Sequence, residues 1–169
     1  MGLLTEFLRD TDLFYNLTQT QMDLIENVSE ECKYKQGDII FEENSRQGEL
    51  YLIISGEVEI LINPSLVSAH RLEPVELERI ALLRRGQSFG EMALVDEGVR
   101  SASAKVVTKN AHLLRLARGR FLLLCSTYPE LGYRVMYNLA MDMAQKIRNT
   151  DLKLRETLLY QRPAKTERK

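Results

Sequence analysis

A chain of 169 residues with 44% hydrophobic and 28% charged side chains has the size and composition of one soluble globular domain, with or without an appendage. Its net charge of −1 supplies no global field to gather nucleic acid, so any anion site must be built locally. No run of about 18 apolar residues occurs, so no membrane-spanning helix is expected, and the acidic, interrupted start MGLLTEFLRDTDLF is not a signal peptide.

In chain order, Gly2 follows Met1, but the bulky, charged residues after it argue against N-myristoylation. Residues 3–9 and 18–28 carry apolar side chains at helical spacing: Leu3, Leu4, Phe7 and Leu8, then Met22, Leu24, Ile25 and Val28. Thr18 is placed to cap the second helix. From about residue 34 the period changes to two. YKQGDIIFEE turns at Gly37-Asp38 and enters a strand. LYLIISGEVEILI has a hairpin pattern: an apolar arm from Leu50 to Ile54, a Ser55-Gly56 turn, and an arm in which Val58, Ile60 and Ile62 alternate with Glu57 and Glu59. Asn63-Pro64 ends that strand and residues 65–76 form a mixed loop. LERIALL, SASAKVVT and AHLLRLA are further strands, separated by turns at RRGQSFG and Lys109-Asn110. Short strands at intervals of about ten residues argue an antiparallel sandwich or roll.

At residue 118 the period returns to 3.6. RGRFLLLCSTYPE is a short helix ending near Pro129, and Glu130 to about Tyr160 reads as one long helix. Thirty residues of helix reach about 45 Å, which is long for one small domain. A heptad written over it places Tyr133, Met136, Ala140, Met143, Ile147, Thr150, Leu154 and Thr157 at inner positions, the pattern of a dimer seam whose second half the threonines weaken. The tail RPAKTERK is polar and expected to be disordered.

Cys32 and Cys125 belong to no CxxC, and neither His70 nor His112 is spaced to join them around a metal. All four read as structural or surface residues, and the free thiols fit a cytoplasmic protein. The acids Glu42-Glu43, Asp96-Glu97 and Glu76/Glu78 read as solvated turns and edges. No phosphate-cradling glycine loop, nucleophile–base pair or metal cluster occurs, so no enzyme is expected.

The stretch with chemistry in it is SFGEMALVDEGVRSASA, residues 88–104. Gly90 lets backbone approach a ligand closely. Glu91 to Leu94 can form one helical turn whose free N–H groups suit an anion. Arg100 can make a two-pronged, charge-assisted contact to a phosphate, Ser101 adds a hydroxyl, and Ala102 and Ala104 leave room. A carboxylate at Glu91 can accept from a sugar hydroxyl. Together these residues ask for a phosphate and a ribose. The competing reading is an internal Glu91–Arg100 ion pair that merely shapes a loop.

Phe89-Gly90-Glu91-Met92-Ala93-Leu94 followed by Arg100-Ser101-Ala102 resembles the phosphate-binding cassette of cyclic nucleotide-binding domains, and YKQGDIIFEE, GELYLIISGEVEI and LLRRGQSFGE resemble that family's strands and turns over most of residues 7–145. The resemblance implies an α+β, mainly β fold: an antiparallel, jelly-roll-like β-roll flanked by N-terminal helices and a long C-terminal helix. The implied division is N-terminal helices at 1–32, the roll at 33–117 with its cassette at 88–104, C-terminal helices at 118–160, and the tail at 161–169. It implies that Gly90 and Glu91 hold the ribose, and that Arg100, Ser101 and the amides of Met92 and Ala93 hold the cyclic phosphate. Tyr137 and Asn138 lie about where a base-capping residue would stand.

The ligand implied is cAMP in preference to cGMP, with no cofactor and no metal. Bacterial activators of the family dimerise through the long helix and continue into a DNA-binding helix-turn-helix. No sequence for that element follows here, so the expectation is a sensor without direct DNA binding or membrane attachment, homodimeric through residues 130–160, that acts on a separate protein effector. A scaffold of the same fold without nucleotide, and a sensor of another phosphorylated ligand, stay open beside it.

Overall fold

The structure is a computed structural model that describes residues 3–67, 77–96 and 98–160. Gly2, the 68–76 part of the expected loop with His70 and Glu76, Glu97, and the 161–169 tail lie outside the described residues.

Helices α1 (Leu3–Arg9) and α2 (Gln19–Val28) flank a 3-10 turn at Asp12–Phe14. Thr18 caps α2 as its spacing predicts. Its hydroxyl accepts from the Gln21 amide while the Gln21 side chain accepts from the Thr18 amide, so two otherwise orphaned donors are satisfied at once. Eight strands follow: β1 (Ser29–Lys35), β2 (Ile39–Phe41), β3 (Glu49–Ser55), β4 (Val58–Ile62), β5 (Glu78–Leu83), β6 (Ser88–Phe89), β7 (Ser103–Val106) and β8 (Asn110–Ala117). A short helix, α3 (Glu91–Asp96), lies between β6 and β7. The chain ends in α4 (Arg118–Thr127) and α5 (Pro129–Tyr160). The roll therefore begins at Ser29, four residues before the expected boundary at 33. β1 is an edge strand whose partly exposed side chains give only a faint alternation.

The strands form two antiparallel four-stranded sheets, ordered β1-β8-β3-β6 and β2-β7-β4-β5. The hairpin expected at 50–62 does not exist. β3 pairs with β8 and β6, while β4 pairs with β5 and β7, so Ser55-Gly56 carries the chain from one sheet to the other. The reason lies in β3 itself, which is buried on both faces. Leu50 and Leu52 join one cluster with Leu114, Leu116 and the helices; Tyr51 and Ile53 join another between the sheets with Val58, Val106 and Leu113. Gly56 makes the crossing possible. Its φ is +90°, and a Cβ there would lie 2.7 Å from the Asn110 carbonyl oxygen.

The first sheet is thus the middle layer. One face packs against the second sheet and the other against α1, α2, α4 and α5 through Phe7, Leu8, Phe14, Met22, Ile25, Phe121, Leu131 and Leu139. α4 and α5 approach closely because Gly132 sits against Cys125, and a Cβ on Gly132 would come within 2.8 Å of the Cys125 Cβ.

The dimer seam written from the heptad needs correction. Met136 and Met143 pack against the chain's own core, beside buried Leu131, Val135 and Leu139. The solvent-facing large apolar side chains of α5 are Tyr133, Tyr137, Met141, Ile147, Leu152, Leu154, Leu158, Leu159 and Tyr160. The heptad positions Met136 and Met143 are thus spent on the chain's own domain, while from Ile147 to Tyr160 every side chain is exposed and no single stripe is set apart. The distal half of α5 also touches the roll. Lys146 Nζ donates to the Ser88 carbonyl at 2.9 Å, and Lys153 Nζ to the Ile80 carbonyl at 3.0 Å. These lysines are one heptad apart and share a face.

Candidate functional site

The site grows from the end of β6. Phe89 is 3% exposed and stacks on Tyr51 at 5.4 Å between ring centroids, with Phe41 tilted against both. Anchored by that cluster, the chain turns at Gly90, whose φ is +82°, and starts α3. Only glycine fits here. A Cβ on Gly90 would stand 2.5 Å from Arg100 Nη1 and 2.8 Å from the Glu49 carbonyl oxygen.

Arg100 is 2% exposed. Its Nη1 donates to the Gly90 carbonyl at 2.9 Å and its Nη2 to the Glu49 carbonyl at 2.8 Å. Nη2 also lies 3.4 Å from the Glu49 carboxylate, and the guanidinium carbon stands 4.0 Å over the Phe41 ring. Burial pulls the guanidinium below its usual pKa, while the neighbouring Tyr51, Glu49 and Glu91 push the other way; an arginine stays charged regardless. The same burial raises the Tyr51 phenol above its ordinary value. Of its three nitrogens only Nε is buried without a hydrogen-bond partner. A buried charged group with an unused donor is costly unless something brings it an acceptor.

The backbone around the arginine is equally fixed. The Asn44 amide donates to the Arg100 carbonyl at 2.8 Å, and the Arg100 amide to the Ser45 carbonyl at 2.9 Å. Ser101 Oγ is 3.5 Å from Met92 Sδ, which joins the two ends of the cassette. The amides of Met92 and Ala93 fall in the first turn of α3, where helical geometry offers them no acceptor. Gly98 N donates to Asp96 Oδ1 at 2.8 Å, closing the turn expected at that point.

Glu91 and Arg100 do not form a direct ion pair. Glu91, with a side chain 13% exposed, instead lies 3.3 Å from Lys146 Nζ on α5. The alternative of a loop-shaping Glu91–Arg100 bridge is therefore absent. The structure brings Gly90, Glu91, Met92, Arg100 and Ser101 together but leaves Tyr137 and Asn138 elsewhere. Asn138 Nδ2 donates to the carbonyls of Leu13 and Tyr15, tying α5 to the 3-10 turn, and Tyr137 is 56% exposed and stacks on Tyr133. Neither reaches the cassette, because rotation of α5 by its packed face turns 142 and 146 toward it instead.

Glu49, Phe41, Asp142 and Lys146 were not legible as site residues. Glu49 stands 51 residues before the arginine it holds, and no local spacing links such positions. A separate groove of about 640 Å³ crosses the outer face of the second sheet past Glu59, Leu61, Arg79 and Lys105. Its walls include neither Glu91 nor Arg100.

The roll thus buries an arginine beside a glycine and close to a glutamate that opens a short helix. The chain belongs to the cyclic nucleotide-binding domain family, whose pattern it matches over residues 31–128. It is 36% identical to the Cyclic AMP receptor protein of Thermus thermophilus over 147 residues, 87% of this chain and 62% of that protein. It is 27% identical to a cGMP-dependent protein kinase, isozyme 2, of Drosophila melanogaster, over 91% of this chain and 16% of the kinase. Among solved structures it resembles the Thermus thermophilus Catabolite Activator Protein with a TM-score of 0.71 at 34% identity, covering 87% of this chain and 63% of that one. The chain thus spans less than two thirds of the length of these relatives. Among the described residues no helix is long and apolar enough to cross a membrane.

Proposed function

We propose that this domain is a regulatory sensor, not a catalyst, that binds a cyclic nucleotide, cAMP in preference to cGMP, and signals to a separate protein through α5. The observation that carries this reading is Arg100, buried with an unused Nε beside Gly90 and Glu91. The cyclic phosphate gives the unused Nε an anionic acceptor, and Ser101 with the Met92 and Ala93 amides completes the phosphate's partners. Glu91, helped by the close backbone at Gly90, accepts from the ribose 2′-hydroxyl. Preference for cAMP is supported by the 36% identity to a cyclic AMP receptor protein, against lower identity to cGMP-dependent kinases.

Glu49 and the Gly90 carbonyl hold the arginine that the phosphate needs. Binding shifts α5 only to the extent that nucleotide affinity differs between two arrangements of that helix. Homodimerisation belongs to the same reading. Ile147, Leu154 and Leu158 are between 53% and 60% exposed on the outer face of α5 and would be covered by a second copy. Sedimentation equilibrium reporting a monomer at all concentrations would remove that part. So does the site of action, the cytoplasm: Cys32 and Cys125 are free and half-buried, and cell fractionation that placed the protein in an oxidising compartment would contradict it.

The test is isothermal titration with cAMP, cGMP and 5′-AMP. Saturable binding of a cyclic nucleotide, tightest for cAMP and absent for 5′-AMP, is expected. No heat with either cyclic nucleotide would overturn the reading and leave a scaffold or a sensor of another anion.

A further inference from the structure

Lys146 is the residue of α5 that reaches the cassette. Its Nζ lies 2.8 Å from Asp142 Oδ2, 2.9 Å from the Ser88 carbonyl oxygen and 3.3 Å from Glu91 Oε1. One N–H of the ammonium is hydrogen-bonded to the Ser88 carbonyl, and the two carboxylates stand at ion-pair distance from the same nitrogen. The charge is compensated where it stands. Asp142, one turn earlier on the same helix, and the β6 backbone hold it from two sides, so its position does not depend on Glu91. Glu91 in turn sits at the start of a six-residue helix and has no other ion pair among the described residues. Arg100 makes no hydrogen bond or ion pair to it, its fork being bonded to Gly90 and Glu49 instead. With Oε1 drawn to Lys146, the second oxygen of Glu91 takes no hydrogen bond among the described residues.

From this geometry we infer that Lys146 is a positioning residue for sugar recognition: it fixes the Glu91 carboxylate so that its second oxygen accepts the ribose 2′-hydroxyl, and it makes that contact report to α5. The inference rests on the reading that Glu91 takes the ribose. Lys153, a heptad further along and bonded to the Ile80 carbonyl, anchors the same helix face, so a change at Glu91 is passed into an element held at two points.

The test is a comparison of ligands that differ by one oxygen. Wild type, Lys146→Met and Lys146→Arg are titrated with whichever of cAMP and cGMP binds, and with its 2′-deoxy analogue. A hydroxyl donating to a positioned carboxylate should give wild type a preference of about 10- to 100-fold for the ribose form. Lys146→Met keeps length and volume but removes the charge. Its preference should fall below about threefold, with affinity for the deoxy form changed by less than about threefold, and Lys146→Arg should recover most of the preference. In a Glu91→Gln background, Lys146→Met should have no further effect on the ratio. Equal weakening of both ligands would show a merely structural lysine, and an unchanged ratio would show that Lys146 does not position Glu91; either overturns the inference while nucleotide binding stands. Wild type that binds neither ligand overturns the underlying reading and this inference with it.

Discussion

Replacing Arg100 with alanine separates what the arginine does for the fold from what it does for a ligand. The side chain satisfies two carbonyls, at Gly90 and Glu49, and covers the Phe41 ring. Alanine would leave two acceptors to find water and a void the size of the guanidinium stem. Each stranded buried acceptor costs about 1–3 kcal/mol, but the variant also escapes burying a charge with an unpaired Nε. The opposed terms leave a net loss of folding stability of about 1–3 kcal/mol. The effect on binding should be larger, because nothing replaces the phosphate's charge partner. Truncating one side of a buried charged contact costs about 2–5 kcal/mol. At 1.4 kcal/mol per decade that is a rise in Kd of about 30- to 4,000-fold. Titration calorimetry measures the second quantity and urea unfolding without ligand the first, so a folded variant with lost affinity is distinguishable from an unfolded one. A Kd for cyclic nucleotide within about threefold of wild type, in a variant that unfolds cooperatively, would refute the assignment of Arg100 to the phosphate.

Two further outcomes test the packing around the site. Asn138→Ala removes the donor shared by the Leu13 and Tyr15 carbonyls and should lower unfolding stability by about 1–2 kcal/mol while leaving nucleotide affinity unchanged; a large loss of affinity would return Asn138 to the base. Gly132→Ala puts a methyl 2.8 Å from the Cys125 Cβ and 2.9 Å from its Cα, closer than real contacts allow, so α4 and α5 must separate. Overpacking of this kind costs about 1–3 kcal/mol, read as a lower urea midpoint, and a variant as stable as wild type would mean that the two helices are not held this close.

The elements of this protein are local properties, and they were legible as such. Thr18 and Gln21 announce the start of α2 because both halves of a capping box lie three residues apart. The change of period near residue 34 and back at 118 marks the roll, because burial on one face imprints itself on successive side chains. The cassette was legible for the same reason: Gly90, Glu91, Arg100 and Ser101 fall within twelve residues, and the short turn between them leaves few ways to arrange them. β1 was partly missed because an exposed edge strand has little pattern to show.

What only the tertiary structure decided is the pairing of surfaces. Residues 50–62 read as a hairpin because a turn between two apolar runs is all that local pattern can register. The strands separate because β3 buries both faces and finds its partners in β8 and β6. The rotation of α5 was likewise open. Apolar residues stand on more than one side of that helix, and only packing chose Met136 and Met143 for the core and left Leu154 and Leu158 in solvent. The partners of the two charged cassette residues come from far along the chain: Glu49 is 51 residues from Arg100, and Lys146 reaches back 58 residues to Ser88 as it meets Glu91. A sequence pattern can show that a buried arginine and glutamate need partners. Which side chains meet that need depends on where the fold closes, and no spacing along the chain records it.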